Sequence, residues 1–114
     1  MVRRSDAASP GAAARAPAGT HQIVVASDAT GHTAEAVVRA ALVQFRGAAV
    51  QIHLRSGVRA ADHVRATVRE ASRIGGLIVH TLVSQEMRSL MLTEARAQGV
   101  PTIDLLGPLL LRLE

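Results

Sequence analysis

The sequence predicts an α/β fold, built as a small open parallel sheet of four strands with helices on both faces. Three observations support this prediction. Short apolar segments recur along the chain, amphipathic helical segments separate them, and the connections between the two are short. Such alternation favours parallel strands joined by right-handed crossovers. The strands are expected near residues 22–26, 49–54, 77–82 and 101–106.

The first strand–turn–helix unit organises the chain. Residues 23–26 are mostly β-branched, and the small polar residues and glycine at 27–33 then turn the chain. From Ala34 onward the apolar positions 34, 37, 38, 41 and 45 fall on one helical face, which places Phe45 in the core. Open α/β sheets bind ligands at the carboxyl ends of their strands, where this turn is expected.

Three further helices are expected. The second begins near Ala61 and stops at Gly75, because glycine readily takes the left-handed conformation that ends a helix. Ser84 is a natural N-cap for the third helix. The fourth opens at Gly107 and Pro108, where proline is tolerated. Crossovers that reverse once, after the first strand, predict the strand order 2-1-3-4 of a flavodoxin/Rossmann-like sheet.

Residues 1–20 are predicted to form a disordered tail, and residues 21–114 the folded domain. The tail is mostly Ala, Arg, Ser, Pro and Gly and has no apolar signal-peptide run; Asp6 and two prolines argue against a transit peptide. No later stretch reaches the roughly 18 apolar residues of a membrane span. The chain has no cysteine, which removes disulfides and thiolate metal sites, so a cytoplasmic protein is expected.

The charge pattern argues against a nucleic-acid partner. Thirteen basic residues, all arginine, stand against nine acidic ones, for a formal net charge of +4. Phe45 is the single Phe, Tyr or Trp, so aromatic side chains for base stacking are lacking. The absence of lysine also excludes a P-loop lysine and a protein-kinase strand lysine within these 114 residues.

The candidate ligand-binding residues belong to the first turn and to the end of the second strand. Hydroxyls beside the free N–H groups that open a helix are suited to holding an anion. The same side chains could equally serve only to cap the helix and pin the turn. Arginines after the second strand could meet a phosphate there or lie solvated on the surface. The predicted set is Ser27, Asp28, Thr30, Gly31, Thr33 and Arg55, with Arg59 close by.

Other chemistries are disfavoured, and no catalytic residue is assigned. The five histidines lack the i,i+4 spacing of a helical metal site, so no metal site is predicted. His80 lies in an apolar strand and is expected to be a hydrogen-bonded core residue. The turn is similar to a flavodoxin phosphate loop, but Asp28 would place a carboxylate against the flavin phosphate, and no Tyr or Trp could stack on the ring. FMN is therefore not expected.

The run from Ile23 to Phe45 contains a strand, then Ser-Asp-x-Thr-Gly-x-Thr-Ala-Glu, then a helix ending in Gln-Phe. This run resembles the opening of the regulatory proteins of pyruvate, phosphate dikinase and of phosphoenolpyruvate synthase. The resemblance continues through Thr81-Leu82-Val83 and the run from Ile103 to Leu110, and so covers about residues 21–114. The Leu-Leu-Gly-Pro-Leu-Leu ending is closer to the dikinase branch.

The resemblance implies a bifunctional regulatory enzyme. Members of that family are serine/threonine kinases that use ADP to phosphorylate a threonine of the dikinase, which inactivates the dikinase. They are also phosphorylases that remove this phosphate with inorganic phosphate, releasing pyrophosphate. The family's glycine-rich phosphate loop ends in Lys-Thr and lies in a carboxyl-terminal half, whereas this chain resembles the amino-terminal half alone. We therefore expect the chain to be inactive by itself, with ADP and inorganic phosphate as substrates of the complete protein.

The implied partners are the dikinase, or the synthase, and the missing carboxyl-terminal half, with homo-oligomer formation left open. Neither nucleic acid nor a membrane is expected as a partner. Two alternatives to the regulatory enzyme stay open. The chain could be an anion- or small-ligand-binding module on a flavodoxin-like sheet, or an interaction domain without chemistry of its own.

Overall fold

A computed structural model describes residues 2–5, 20–45 and 47–114 of the chain, and strands and helices alternate through them. The elements are β1 (Val2–Ser5), β2 (His21–Ser27), α1 (His32–Leu42), β3 (Val50–Arg55), α2 (Ala61–Ile74), β4 (Leu77–Thr81), α3 (Gln85–Ala97), β5 (Thr102–Asp104) and α4 (Gly107–Leu113). Two of the predicted helix signals act as expected. Ser84 Oγ accepts a hydrogen bond from the N–H of Met87 at 3.3 Å and caps α3, and Gly75 ends α2 with φ +66°.

All strands pair in parallel, in the order β1-β3-β2-β4-β5. Counted without β1, this is the predicted order 2-1-3-4, so the expected α/β architecture is confirmed. Strand β2 lies between β3 and β4, with Val24 opposite His53 on one side and Ile78 on the other. The chain moves to one side of β2 after α1 and crosses to the other side after α2. A crevice therefore opens at the carboxyl end of β2.

The edge strand β1 corrects one prediction. Val2–Ser5, expected from the sequence to lie in a disordered tail, instead pairs with β3, in register from Val2 opposite Val50. A sheet edge offers unpaired backbone N–H and C=O groups, and a short segment can pair with them without any apolar alternation of its own. Hydrophobic periodicity therefore gives no signal for such a strand. Of the rest of the predicted tail, residue 1 and residues 6–19 lie outside the described residues.

Side chains alternate along β2 and contribute to two hydrophobic cores, one on each face of the sheet. Ile23 and Val25 pack on the α1 face, whereas Val24 and Ala26 pack on the face covered by α2 and α3. Each large apolar side chain that is fully buried contributes roughly 1.5–3 kcal/mol to folding. The largest of these are Ile52, Ile78, Leu82 and Met91.

Helix α1 ends earlier than its apolar pattern predicts. The helix stops at Leu42, and Phe45, which was predicted to lie in the core, sits in the following turn with 66% of its surface exposed. The N–H of Phe45 donates to the carbonyl of Leu42 at 3.0 Å, and Gly47 follows with φ +85°. The chain turns before Phe45 can reach the sheet. The prediction that Phe45 lies in the core was therefore wrong.

Helix α4 opens at Gly107 and Pro108, as predicted. The N-cap residue is Leu106, and Asp104 supports the start of the helix from two residues earlier: its Oδ1 accepts hydrogen bonds from the N–H groups of Leu106 at 2.9 Å and Gly107 at 2.7 Å. The helix leaves three leucines exposed, by 56%, 57% and 73%: Leu109, Leu111 and Leu113. Within residues 2–5, 20–45 and 47–114, no helix has the length and apolarity needed to cross a membrane.

Candidate functional site

The turn at residues 27–33 lies in the crevice at the carboxyl end of β2, where it lines a cavity of about 200 Å³. The ends of two further strands complete the cavity wall, through Thr81 and Val83 on the β4 side and Leu106 after β5. Open α/β sheets hold their ligands at this edge. Of the predicted ligand-binding residues, those that share the cavity are Ser27, Asp28, Thr30, Gly31 and Thr33.

Two hydroxyl groups shape the turn from within. Ser27 Oγ accepts a hydrogen bond from the N–H of Ala29 at 3.0 Å, and Thr30 Oγ1 accepts one from the N–H of His32 at 3.3 Å. Both side chains therefore pin the turn, which was one of the two alternatives left open by the sequence. A hydroxyl that accepts a bond keeps its own O–H to donate, so the same groups can still face an anion. Thr33, in the first turn of α1, is exposed.

Gly31 is the N-cap of α1 and takes φ +86°, a left-handed conformation that glycine adopts without steric cost. A Cβ atom at this position would overlap Cδ1 of Leu54, which projects from β3. Gly31 has no side chain, so the N-cap residue itself offers no side-chain acceptor to the first N–H groups of α1. The glycine thus allows a close approach of the turn to β3, and it places no side chain on the N–H groups of α1 that follow His32.

Loops from two neighbouring strands hold the Asp28 segment of the turn. Asp28 Oδ2 accepts a hydrogen bond from the N–H of Val83, after β4, at 2.8 Å. On the other side, Arg59 Nε donates to the backbone carbonyl of Asp28 at 2.8 Å, and the N–H of Val58 donates to the carbonyl of Ser27 at 2.8 Å. The Asp28 carboxylate, half-buried, is therefore held in place at the cavity wall.

Arg55 is not brought to the turn. Its Nε donates to Oε1 of Glu70 at 2.8 Å, and its Nη2 donates to Oε2 of the same carboxylate. The two side chains are only 15% and 11% exposed, and they line a separate cavity of about 440 Å³ beside α2. Arg59, four residues further on, is the arginine that contacts the turn.

Sequence reasoning missed the cavity residues contributed by the later strands. Thr81, Val83 and Leu106 are apolar or weakly polar, so their residue types alone give no functional signal. Their positions do give one, because each lies at or just beyond the carboxyl end of a parallel strand. In an open α/β sheet all such positions meet at one edge.

His80 is buried in β4 with 2% of its surface exposed, as the sequence predicted. The expected hydrogen bonding is incomplete, since its Nδ1 has no hydrogen-bond partner within the described part of the chain. Burial lowers the pKa of His80 below its ordinary value of 6.5; Asp104 raises it and Arg88 lowers it further, as smaller effects. A neutral imidazole at this place fits a core residue rather than a charged ligand-binding group.

A larger cavity, of about 580 Å³, lies at the opposite edge of the sheet, at the amino ends of the strands. Its wall includes Leu42, Phe45 and Gly76. We assign the candidate site to the smaller cavity because hydroxyls, a carboxylate and an open helix start converge there. Across residues 2–5, 20–45 and 47–114, no three His, Asp or Glu side chains converge in a way that could hold a metal ion.

Comparison with known proteins identifies relatives along most of the described domain. Residues 23–114 match the model of a family described as kinase/pyrophosphorylase. Proteins that carry the name pyruvate, phosphate dikinase regulatory protein are similar to the chain. The one from Geobacter sulfurreducens is 44% identical over 91 residues, 80% of this chain and 34% of the relative. The one from Sorangium cellulosum is 43% identical over 91 residues, 80% of this chain and 32% of the relative.

A relative from Listeria welshimeri, named pyruvate, phosphate dikinase regulatory protein 1, is 44% identical over 92 residues, 81% of this chain and 34% of the relative. The chain therefore spans about a third of the length of the curated relatives it matches. The matched region includes the 27–33 turn and the strand ends that surround it. On this match, and with the predicted resemblance confirmed, the chain belongs to the kinase/pyrophosphorylase family.

Proposed function

We propose that the chain forms part of a regulatory protein of pyruvate, phosphate dikinase, and that the 27–33 turn holds the phosphate group that is transferred. The complete protein would use ADP to phosphorylate a threonine of the dikinase, and would remove this phosphate with inorganic phosphate, releasing pyrophosphate. Family membership supports the reaction class. The single observation that supports the role of this turn is its cavity, where hydroxyls and an open helix start meet.

The size of the cavity indicates which part of the reactants it would accept. Sites for small molecules commonly enclose roughly 300–1,000 Å³, whereas this cavity measures about 200 Å³. It therefore suits a phosphate group, or the phosphorylated end of a threonine side chain, better than a whole nucleotide. The hydroxyls of Thr30 and Thr33 and the N–H groups of α1 that follow His32 would donate to the phosphate oxygens.

Asp28 is suited to the proton transfer that this reaction needs. When the threonine hydroxyl bonds to the terminal phosphorus of ADP, the bond to the bridging oxygen breaks and AMP leaves. The hydroxyl proton must then go to a base, and a carboxylate within hydrogen-bonding reach can take it. Asp28 is held at the cavity wall by the N–H of Val83. The removal of the phosphate is a separate reaction: an oxygen of inorganic phosphate would bond to the phosphorus of the phosphothreonine, and the bond from phosphorus to the threonine oxygen would break, leaving pyrophosphate. The protonated carboxyl would give its proton to the leaving threonine oxygen, and the proton that inorganic phosphate loses would restore the carboxyl.

We place the nucleotide outside this chain. Phosphoryl transfer needs cations against the phosphate charges, usually a lysine in a glycine-rich loop together with a metal ion. The chain contains no lysine. Arg59, near the turn, donates through Nε to the backbone carbonyl of Asp28 and is not among the residues that line the cavity. The turn would therefore hold the transferred phosphate, while the adenosine part of ADP binds to other segments of the complete protein.

The proposal is tested by titrating inorganic phosphate and ADP separately into the isotope-labelled 114-residue chain. We expect phosphate to bind weakly and to shift the amide signals of Thr30, Gly31 and Thr33, while calorimetry with ADP gives no measurable heat of binding. Thr33→Val should weaken phosphate binding. Thr93→Val is the matched control, because Thr93 is an exposed helical threonine of α3 away from the cavity.

Two results would contradict the proposal. If phosphate shifted the signals of residues around Arg55 and Glu70 and left the turn unchanged, the phosphate site would lie beside α2. If ADP bound with micromolar affinity, this part of the protein would itself contain the nucleotide site. A full-length relative supplies the catalytic test: asparagine in place of the aspartate that matches Asp28 should abolish phosphotransfer without unfolding the protein.

A further inference from the structure

A chain of polar contacts reaches Asp28 from α3. Arg88, near the start of α3, donates through Nη1 to the carbonyl oxygen of Leu82 at 3.2 Å and to that of Val83. The N–H of Val83 in turn donates to Asp28 Oδ2 at 2.8 Å. The peptide unit between Leu82 and Val83 therefore has a guanidinium on its oxygen and a carboxylate on its N–H.

This arrangement fixes the direction of the Val83 N–H. A peptide unit is planar, so a group that holds its oxygen also orients its N–H, which points the opposite way. Hydrogen bonds with an ionised partner are shorter and stronger than neutral ones, and here both ends of the unit have such a partner. A cation on the oxygen also polarises the unit and strengthens the N–H as a donor. The Arg88 side chain is only 10% exposed, so water competes little with these bonds.

Asp104, at the end of β5, holds Arg88 from the other side. Its Oδ2 lies 3.8 Å from Arg88 Nε, while its Oδ1 accepts the N–H groups that open α4. Gly107 allows this packing, because a Cβ there would overlap Asp104 Oδ2 and lie 3.1 Å from Arg88 Cδ. The strand ends of β2, β4 and β5 are thus joined by one continuous set of contacts.

We propose that Arg88 is a positioning residue for Asp28: it orients the Leu82–Val83 peptide so that its N–H holds the Asp28 carboxylate at the cavity wall. The functional meaning of this role rests on the proposed function, in which Asp28 takes a proton. The contact itself does not, since it consists of hydrogen bonds between residues of this chain. The two ideas can therefore fail separately.

The test measures hydrogen exchange and the amide proton shift of Val83 by NMR in the 114-residue chain, without added ligand. In Arg88→Gln we expect the Val83 amide to exchange about tenfold faster and its proton signal to move upfield, because a charge-assisted hydrogen bond is weakened. The amide of Val79, in the buried centre of β4, should keep its protection. Arg88→Lys should restore part of the Val83 protection, since an ammonium group can still donate to the two carbonyls.

Arg96→Gln is the matched control, because it removes the same charge from an exposed position of the same helix and should leave Val83 unchanged. The proposal is overturned if Val83 exchanges at the same rate in Arg88→Gln as in the unchanged chain. It is also overturned if Val79 accelerates equally, since Arg88 would then act on overall stability alone. If Arg88→Gln does not fold, Asp104→Asn is measured in its place. We expect the Val83 amide to exchange several-fold faster in this variant. An unchanged exchange rate at Val83 would overturn the proposal.

Discussion

Replacing Gly31 by alanine tests whether the turn owes its form to backbone conformation, to close packing, or to both. Gly31 has φ +86°, and a non-glycine residue there costs about 1–2 kcal/mol. The new Cβ would also overlap Cδ1 of Leu54, and forcing a methyl group into a packed core typically costs a further 1–3 kcal/mol, roughly. We expect Gly31→Ala to lower the free energy of unfolding by about 2–5 kcal/mol in a urea titration.

Gly47 provides a matched control with nearly the same backbone conformation. Its φ is +85°, but nothing lies within 4 Å of the position its Cβ would take. Gly47→Ala should therefore cost only the conformational part, about 1–2 kcal/mol. Combining Gly31→Ala with Leu54→Val should relieve the overlap, so the two losses should not add. Equal losses at Gly31 and Gly47, together with an additive double variant, would refute the packing argument.

Three further predictions follow from buried charge and exposed apolar surface. Burial lowers the pKa values of His53 and His80 below 6.5, so the free energy of unfolding should not be reduced by their protonation above pH 6.5. It should fall by up to about 1.4 kcal/mol per pH unit for each histidine as the pH drops below 6.5, since the unfolded chain then binds more protons. Glu70→Ala should destabilise the fold by about 3 kcal/mol in urea titrations, because it leaves Arg55 in a largely buried position without this carboxylate. The exposed leucines of α4 should make the 114-residue chain self-associate in sedimentation experiments, and Leu111→Ser should reduce this association.

Each of these predictions has a control and a contrary outcome. His63→Gln, at an exposed position, is the matched control variant. A flat stability profile between pH 7 and pH 5, about the range in which histidine titrates, would contradict the prediction for the buried histidines. Asp62→Ala is the control for Glu70→Ala. Asp62 forms an ion pair with Arg65, but its side chain is 96% exposed, so its removal should cause no measurable loss in the free energy of unfolding. The predicted self-association would be contradicted if the chain sediments as a monomer at high concentration and binds no dye specific for apolar surface.

The strands, helices and strand order could be predicted because they depend on local signals. Apolar alternation, the Ser84 cap and the Gly75 stop each act within a few residues of chain, and right-handed crossovers leave few ways to arrange four parallel strands. The failures arose where the local pattern was absent or misleading. Val2–Ser5 pairs through backbone groups that leave no apolar period, and Phe45 continued a helical pattern after the helix itself had ended.

In the candidate site, too, some features could be predicted from the local sequence and others depend on the tertiary structure. The hydroxyls, the aspartate and the glycine of the 27–33 turn are adjacent in sequence, so their type and order alone were enough to predict that they share one strand end. Which distant groups meet them was decided by the tertiary structure. Asp28 binds the N–H of a residue 55 positions later, and its carbonyl binds Arg59, 31 positions later, while Arg55 lies against Glu70. Contacts across such separations depend on how neighbouring strands align and on which face each side chain takes, and both are set only when the sheet is assembled.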